Sequence, residues 1–111
     1  MGTFTPQLAL WATNIPSAQI ARERAASVAR HLSNVIQSGD ADAAREQALS
    51  YLTHIARAEL LDRGVYPASR PELPQQLKSI GSSQLAEILN RILITESPQI
   101  SEIKELIKPV G

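Results

Sequence analysis

Arg24 and His31 are the residues whose types and spacing most directly suggest chemistry in this sequence. They are seven positions apart, and because an α-helix turns once in about 3.6 residues, they share one side of a helix predicted over 17–37. A histidine can transfer protons, and an arginine can stabilise the negative charge of a phosphate. The pair is therefore a candidate for proton transfer beside a phosphate group, although we favour a solvent-exposed helix flank without catalysis.

The remaining titratable residues do not form a recognisable reaction centre. His54 has no second histidine or acid cluster at metal-binding spacing, so we interpret it as a surface histidine. Asp40 and Asp42 follow Ser-Gly, and we interpret them as helix-capping residues rather than a metal pair. Cysteine, glycine-rich phosphate loops and a Gly-x-Ser-x-Gly elbow are all missing from the sequence. We therefore predict neither a metal nor a cofactor.

Glu59 is an unusual residue for its place in the sequence. It falls inside the apolar stripe of a helix predicted over 40–63. A buried carboxylate needs a partner, and Arg24 or Arg70 could provide one. We expect a structural ion pair, with a binding role for Glu59 as the alternative.

The segment "RGVYPASRPELPQQL" at 63–77 contains three prolines between two predicted helices. Proline fixes its own φ angle and restricts the residue before it, so this connection has few accessible conformations. We expect it to hold the next helix in place, with Val65 and Tyr66 packed against the preceding helix. In the alternative interpretation, Tyr66 and Arg70 present an aromatic ring and a guanidinium to a binding partner.

Apolar residues recur at helical spacing through most of the chain, and only the short "RILIT" run has the character of a strand. Because that run continues a helical stripe, we interpret it as helical. The predicted fold is an all-α bundle of four to five helices in one domain, 1–111, with a Pro-rich connection at 64–71. Each predicted helix has its own start and stop signals. A short helix is predicted from Thr5-Pro6 through Trp11, ahead of five others. Those five are 17–37, 40–63, one opened by a Ser69–Glu72 capping box, one opened by Ser82 or Ser83 that includes the "RILIT" run, and one from Pro98 to Pro109.

Composition limits the classes of function. The 111 residues carry eleven basic and eleven acidic side chains, so the formal net charge is zero and a broadly basic nucleic-acid surface is disfavoured. No apolar run approaches the roughly 20 residues that span a bilayer. We expect a cytosolic protein without a membrane anchor.

The run "ARAELLDRGVYPASRPELPQQLKSIGSSQLAEIL", residues 56–89, resembles the helical domains associated with bacterial minimal nucleotidyltransferases, within the broad HEPN-like class. The resemblance lies in a helix that ends in "RGVYP", a helix opened by "SRPEL", and a Leu-rich helix after Gly81. It implies a four- or five-helix bundle, often a homodimer, beside a nucleotidyltransferase that is fused to it or is a separate chain. Some members of the class are ribonucleases with an Arg-x(4–6)-His motif late in the bundle, which would make Arg24 and His31 the catalytic pair, although these two lie on the first long helix. Other members have lost the motif and only bind substrates or partner proteins.

A different class of function follows from residues 73–94, where a helix, a glycine and a serine-capped helix have the outline of a DNA-reading helix-turn-helix. Ser82, Ser83, Gln84 and Arg91 would then face DNA. Glu87 and the neutral net charge argue against this alternative.

Our prediction is a non-catalytic interaction or substrate-binding module that self-associates and partners a nucleotidyltransferase. Arg24, His31, Tyr66 and Arg70 would line its groove, and Glu59 is a further binding candidate.

Overall fold

The computed structural model describes residues 18–110. These residues form five α-helices and no strand, which confirms the all-α prediction. None of the described helices is both long and apolar enough to cross a membrane. The helix predicted from Thr5 through Trp11 lies outside the described residues. The helices are α1 (Ala18–Ser38), α2 (Ala41–Asp62), α3 (Leu73–Ser79), α4 (Ser83–Ile94) and α5 (Ile100–Ile107), with a 3₁₀ turn at Arg70–Glu72 before α3.

Helices α1 and α2 form an antiparallel hairpin with a two-residue link. Gly39 has a φ of +81°, a left-handed conformation that glycine adopts without steric cost, and this reverses the chain direction. The Asp40 carboxylate then accepts a 3.1 Å hydrogen bond from the amide of Ala43. Of the two capping candidates, Asp40 is thus the N-cap, while Asp42 lies in the first turn of α2.

Helix α2 is the centre of the bundle, because each of the other four helices packs against it. Alanines are buried on α2 at positions 44, 48 and 56, and on α1 at position 25. Such short side chains allow close approach between helices.

Helix α4 runs antiparallel to α2. The Arg45 side chain, near the start of α2, donates hydrogen bonds to the carbonyls of Ile92, Leu93 and Thr95 at the end of α4. At the other end, the Ser82 hydroxyl donates a 2.8 Å hydrogen bond to the Glu59 carboxylate. The "RILIT" run belongs to α4 through Ile94, so the helical interpretation of that run is confirmed.

The start of α3 differs from the prediction. Ser69 makes no side-chain capping bond, and its carbonyl instead accepts a 2.9 Å hydrogen bond from the amide of Glu72. This hydrogen bond closes a 3₁₀ turn around Pro71. In a capping box the same Glu72 amide would instead donate to the Ser69 hydroxyl. A capping box is present at α5 instead, between Gln99 and Glu102.

Candidate functional site

A cleft of about 180 Å³ lies where the first part of α1, the second half of α2 and the proline-rich connection meet. We call it the arginine cleft. Its walls combine basic, aromatic and apolar side chains. They are Ile20, Ala21, Arg24, His54, Arg57, Leu61, Tyr66, Pro67 and Ala68.

Helix geometry brings the polar groups of the arginine cleft together. His54 and Arg57 are three residues apart on α2, so they lie on neighbouring positions of one helix face. Arg24 reaches the same cleft from α1, because the hairpin is antiparallel and the start of α1 lies beside the end of α2. The hairpin therefore supplies two arginines and a histidine to one cleft.

The third wall is the connection between α2 and α3. The amide of Val65 donates a 2.9 Å hydrogen bond to the Leu60 carbonyl, and Val65 packs against the core as predicted. The adjacent Tyr66 is 69% exposed, so the expectation that it packs away against α2 is wrong. Its ring borders the cleft, as the partner-binding interpretation requires.

The arginines of the cleft have no acidic partner among residues 18–110. Arg22 pairs with Asp62 on the exposed edge between α1 and α2, and Arg45 pairs with Glu46. No such pair involves Arg24, Arg57 or Arg70 within the described part of the chain. Their positive charge is thus uncompensated by the protein side chains described.

The pKa of His54 responds to the positive charge of these arginines. Burial lowers the pKa of His54 from 6.5, and the nearby positive charges of Arg57, Arg24 and Arg70 lower it further. Both causes disfavour the imidazolium form. His54 is therefore neutral near pH 7, with one ring nitrogen able to donate a hydrogen bond and the other able to accept one.

This combination suits an anionic ligand. A guanidinium offers several N–H donors in a planar fork that matches carboxylate and phosphate oxygens, and such charge-assisted bonds are strong. The half-buried position of Arg57 and His54 reduces competition from water. Residues 18–110 contain no group of three or more His, Cys, Asp or Glu side chains that could hold a metal ion.

The predicted site residues are only partly brought together. Arg24 and Tyr66 line the arginine cleft, and Arg70 is close enough to influence the His54 charge. His31 is exposed further along α1 and does not line this cleft.

Glu59 lies elsewhere. It borders a shallow pocket with Ile55, Leu85 and Ile88, where its partner is the Ser82 hydroxyl. The expected ion pair with Arg24 or Arg70 does not form, because Glu59 faces the start of α4 rather than α1 or the connection.

His54 and Arg57 are the residues that sequence reasoning missed. His54 lies at the surface, as predicted, but it is partly buried in the wall of the cleft. The usable signal was the spacing His54-x-x-Arg57 near a helix end that is followed by an aromatic turn. A histidine and an arginine at this spacing are common on exposed helices. Here they form part of a cleft because α1 packs beside them.

Acidic side chains lie beside the predicted helix-turn-helix of residues 73–94. Arg91 borders a pocket that also includes Glu102 and Glu105 of α5. The Ser82 hydroxyl is engaged by Glu59. Acidic side chains beside the proposed reading helix oppose the approach of DNA phosphates, so the geometry disfavours this alternative.

Comparisons with protein-family models, with curated proteins and with solved structures give no match for this chain.

Proposed function

We propose that this chain is a non-catalytic helical binding module that uses the arginine cleft to hold an anionic group of its substrate or partner. The observation that carries the proposal is the convergence of Arg24 and Arg57 in one cleft, with Arg70 nearby and no carboxylate paired to any of them within residues 18–110. Like charges held together repel one another, so an arrangement of this kind is stabilised when an anion binds between them.

The cleft also has the composition of a recognition surface. Arginine and tyrosine are the side chains most enriched at energetically important positions of interfaces. Here they are combined with the apolar residues Ala21, Leu61 and Pro67, which line the same cleft. His54 adds a neutral hydrogen-bonding group without adding charge at neutral pH.

The proposed partner is a nucleotidyltransferase, and the proposed assembly is a homodimer. Both rest on the resemblance of residues 56–89 to nucleotidyltransferase-associated helical domains. That stretch includes Arg57, the 66–68 wall of the cleft and Arg70, so the resemblance and the cleft involve the same part of the chain.

The test is binding between this chain and a bacterial minimal nucleotidyltransferase, measured by calorimetry. We expect Arg24→Gln to weaken the complex by roughly tenfold, because it removes a charge-assisted contact. Arg30→Gln is the matched control, since Arg30 is exposed on the same helix and does not line the cleft. A complex that tolerates Arg24→Gln as well as Arg30→Gln contradicts the proposed surface. Sedimentation velocity of the chain alone tests self-association separately.

A ribonuclease is the second candidate function, and one observation favours it. A neutral histidine beside arginines is the arrangement that proton transfer next to a phosphate requires, and His54 shares the cleft with Arg24. If this candidate is right, RNA cleavage by the purified chain is lost in His54→Ala and retained in His31→Ala. Cleavage that is lost in His31→Ala instead would restore the original pair of Arg24 and His31.

A further inference from the structure

The chemistry of the arginine cleft restricts its ligand more closely than the word anion implies. Two guanidinium groups line the cleft and a third acts on His54 from the 3₁₀ turn. A single carboxylate would leave most of this positive charge uncompensated. A phosphate monoester carries a charge between −1.5 and −2 near neutral pH and three strong acceptor oxygens, so it matches both the charge and the number of donors.

The size and surroundings of the cleft favour a small molecule over a nucleic-acid strand. The cleft has a volume of only about 180 Å³, and its lining includes the apolar residues Ala21, Leu61 and Pro67. A strand needs a series of phosphate contacts along a basic surface. The formal net charge of this chain is zero, and next to the cleft Arg22 is neutralised by Asp62.

Tyr66 provides the remaining feature. Tyr66 lines the cleft and is 69% exposed as a residue, so it is accessible to an aromatic group attached to the phosphate. Stacking on an aromatic side chain is a favourable contact for a nucleobase or another flat ring.

We propose that the arginine cleft is a binding site for a small phosphate monoester, with Arg24 and Arg57 contacting the phosphate oxygens and Tyr66 covering the attached group. This inference rests on the proposed function and specifies its ligand. Arg70 contributes positive charge from the 3₁₀ turn, and His54 donates or accepts a hydrogen bond at the cleft wall.

Binding of a dianion has a spectroscopic consequence at His54. The titratable and charged groups around this histidine are Arg24 from α1, Arg57 from α2, Tyr66 from the connection and Arg70 from the 3₁₀ turn. A phosphate placed among them offsets the arginine charge that disfavours the imidazolium. The pKa of His54 must therefore rise when phosphate binds.

The experiment follows the ring resonances of both histidines by NMR during titrations with inorganic phosphate and with adenosine monophosphate. Ionic strength is held constant with sodium chloride, and adenosine without phosphate is a further control. His31 is an internal reference, because it is exposed and lies outside the cleft. Arg24→Gln and Arg57→Gln are the test variants, and Arg30→Gln is the matched control.

We expect saturable changes at His54, a raised His54 pKa in the bound state, and little change at His31. Each test variant should weaken phosphate binding by roughly tenfold, which corresponds to one lost charge-assisted contact. Tighter binding of the mononucleotide than of inorganic phosphate, abolished by Tyr66→Leu, would identify the attached ring as part of the ligand. Equal affinity would overturn the role of Tyr66 and leave only the contacts of Arg24 and Arg57 with the phosphate supported.

Other results overturn it. Equal changes at His31 and His54, or the same changes with chloride, would show general charge screening instead of a site. No change at His54 with either phosphate compound, while the nucleotidyltransferase complex still depends on Arg24, would overturn the phosphate ligand and leave the interaction module intact. Because Arg24 is exposed on α1, its substitution tests the site even if Arg57→Gln impairs folding.

Discussion

The side-chain amide of Gln76, on α3, donates a 3.1 Å hydrogen bond to the backbone carbonyl of Tyr66. The carbonyl oxygen of the same side chain accepts a 2.8 Å hydrogen bond from the amide of Ala68. One side chain thus bridges the backbone on both sides of Pro67. The proline restricts the connection locally, and Gln76 ties it to the bundle, so the third wall of the arginine cleft has a defined position.

Replacing Gln76 tests this bridge. Gln76→Ala removes two hydrogen bonds, one of them to a partly buried amide, and we expect a loss of about 1–2 kcal/mol in the free energy of unfolding. Urea denaturation measures the change. Gln75→Ala is the matched control, because Gln75 is an exposed neighbour on the same short helix. Equal stability of the two variants would mean that the connection does not depend on the bridge.

Arg45 holds the end of α4 to the start of α2. Its guanidinium donates to the carbonyls of Thr95, Ile92 and Leu93 at 2.7, 3.1 and 3.3 Å, groups that lack partners within their own helix end. Arg45→Lys keeps the charge but cannot form the planar fork, so we expect about 1–2 kcal/mol of destabilisation in urea denaturation. Arg30→Lys should change the stability by much less, and a similar loss in both variants would contradict this role.

The N-terminus of α2 distinguishes two neighbouring aspartates. The Asp40 carboxylate accepts a hydrogen bond from the backbone amide of Ala43, whereas Asp42 lies in the first turn and interacts with the helix end through its charge. Asp40→Ala should cost about 1 kcal/mol, the usual effect of removing an N-cap. Asp42→Ala should cost less, about 0.3–1 kcal/mol at low salt, since only the dipole interaction is lost. Thermal denaturation of the two variants compares them, and a larger loss for Asp42→Ala would reverse the assignment.

The lowered pKa of His54 predicts that the free energy of unfolding depends on pH. Its folded-state pKa lies below 6.5, the ordinary value, so between these two pKa values the unfolded chain binds more protons than the folded chain. The free energy of unfolding must then fall as the pH drops below about 6.5, and this histidine contributes no pH dependence above it. His54→Gln should reduce the difference in stability between about pH 8 and about pH 5.5. His31→Gln is the control, and an unchanged difference in His54→Gln would contradict the pKa direction.

Much of the fold could be predicted from the sequence because its signals are local. The apolar spacing of α1, α2 and α4, and the glycines at positions 39, 64 and 81, give elements close to those observed. The exception is the start of α3. There the Ser69–Glu72 pattern predicts a capping box, but the chain forms a 3₁₀ turn that includes Pro71. In that turn the Glu72 amide donates to the Ser69 carbonyl and not to the Ser69 hydroxyl.

The site could be predicted only in part, since it depends on how distant segments meet. Arg24 and Tyr66 were candidates by residue type and local context. The burial of His54 results from α1 and the connection packing around α2, and no pattern within α2 encodes this. The partner of Glu59 likewise depends on the direction in which α4 crosses α2.

The most direct test of the arginine cleft is the pKa of His54 in the free protein, measured by NMR in the parent chain and in Arg57→Gln. The account predicts a His54 pKa below 6.5 in the parent chain, a higher value in Arg57→Gln, and no change in Arg30→Gln. A His54 pKa at or above 6.5 in the parent chain, or one insensitive to Arg57→Gln, would contradict the convergence of positive charge on which the site depends.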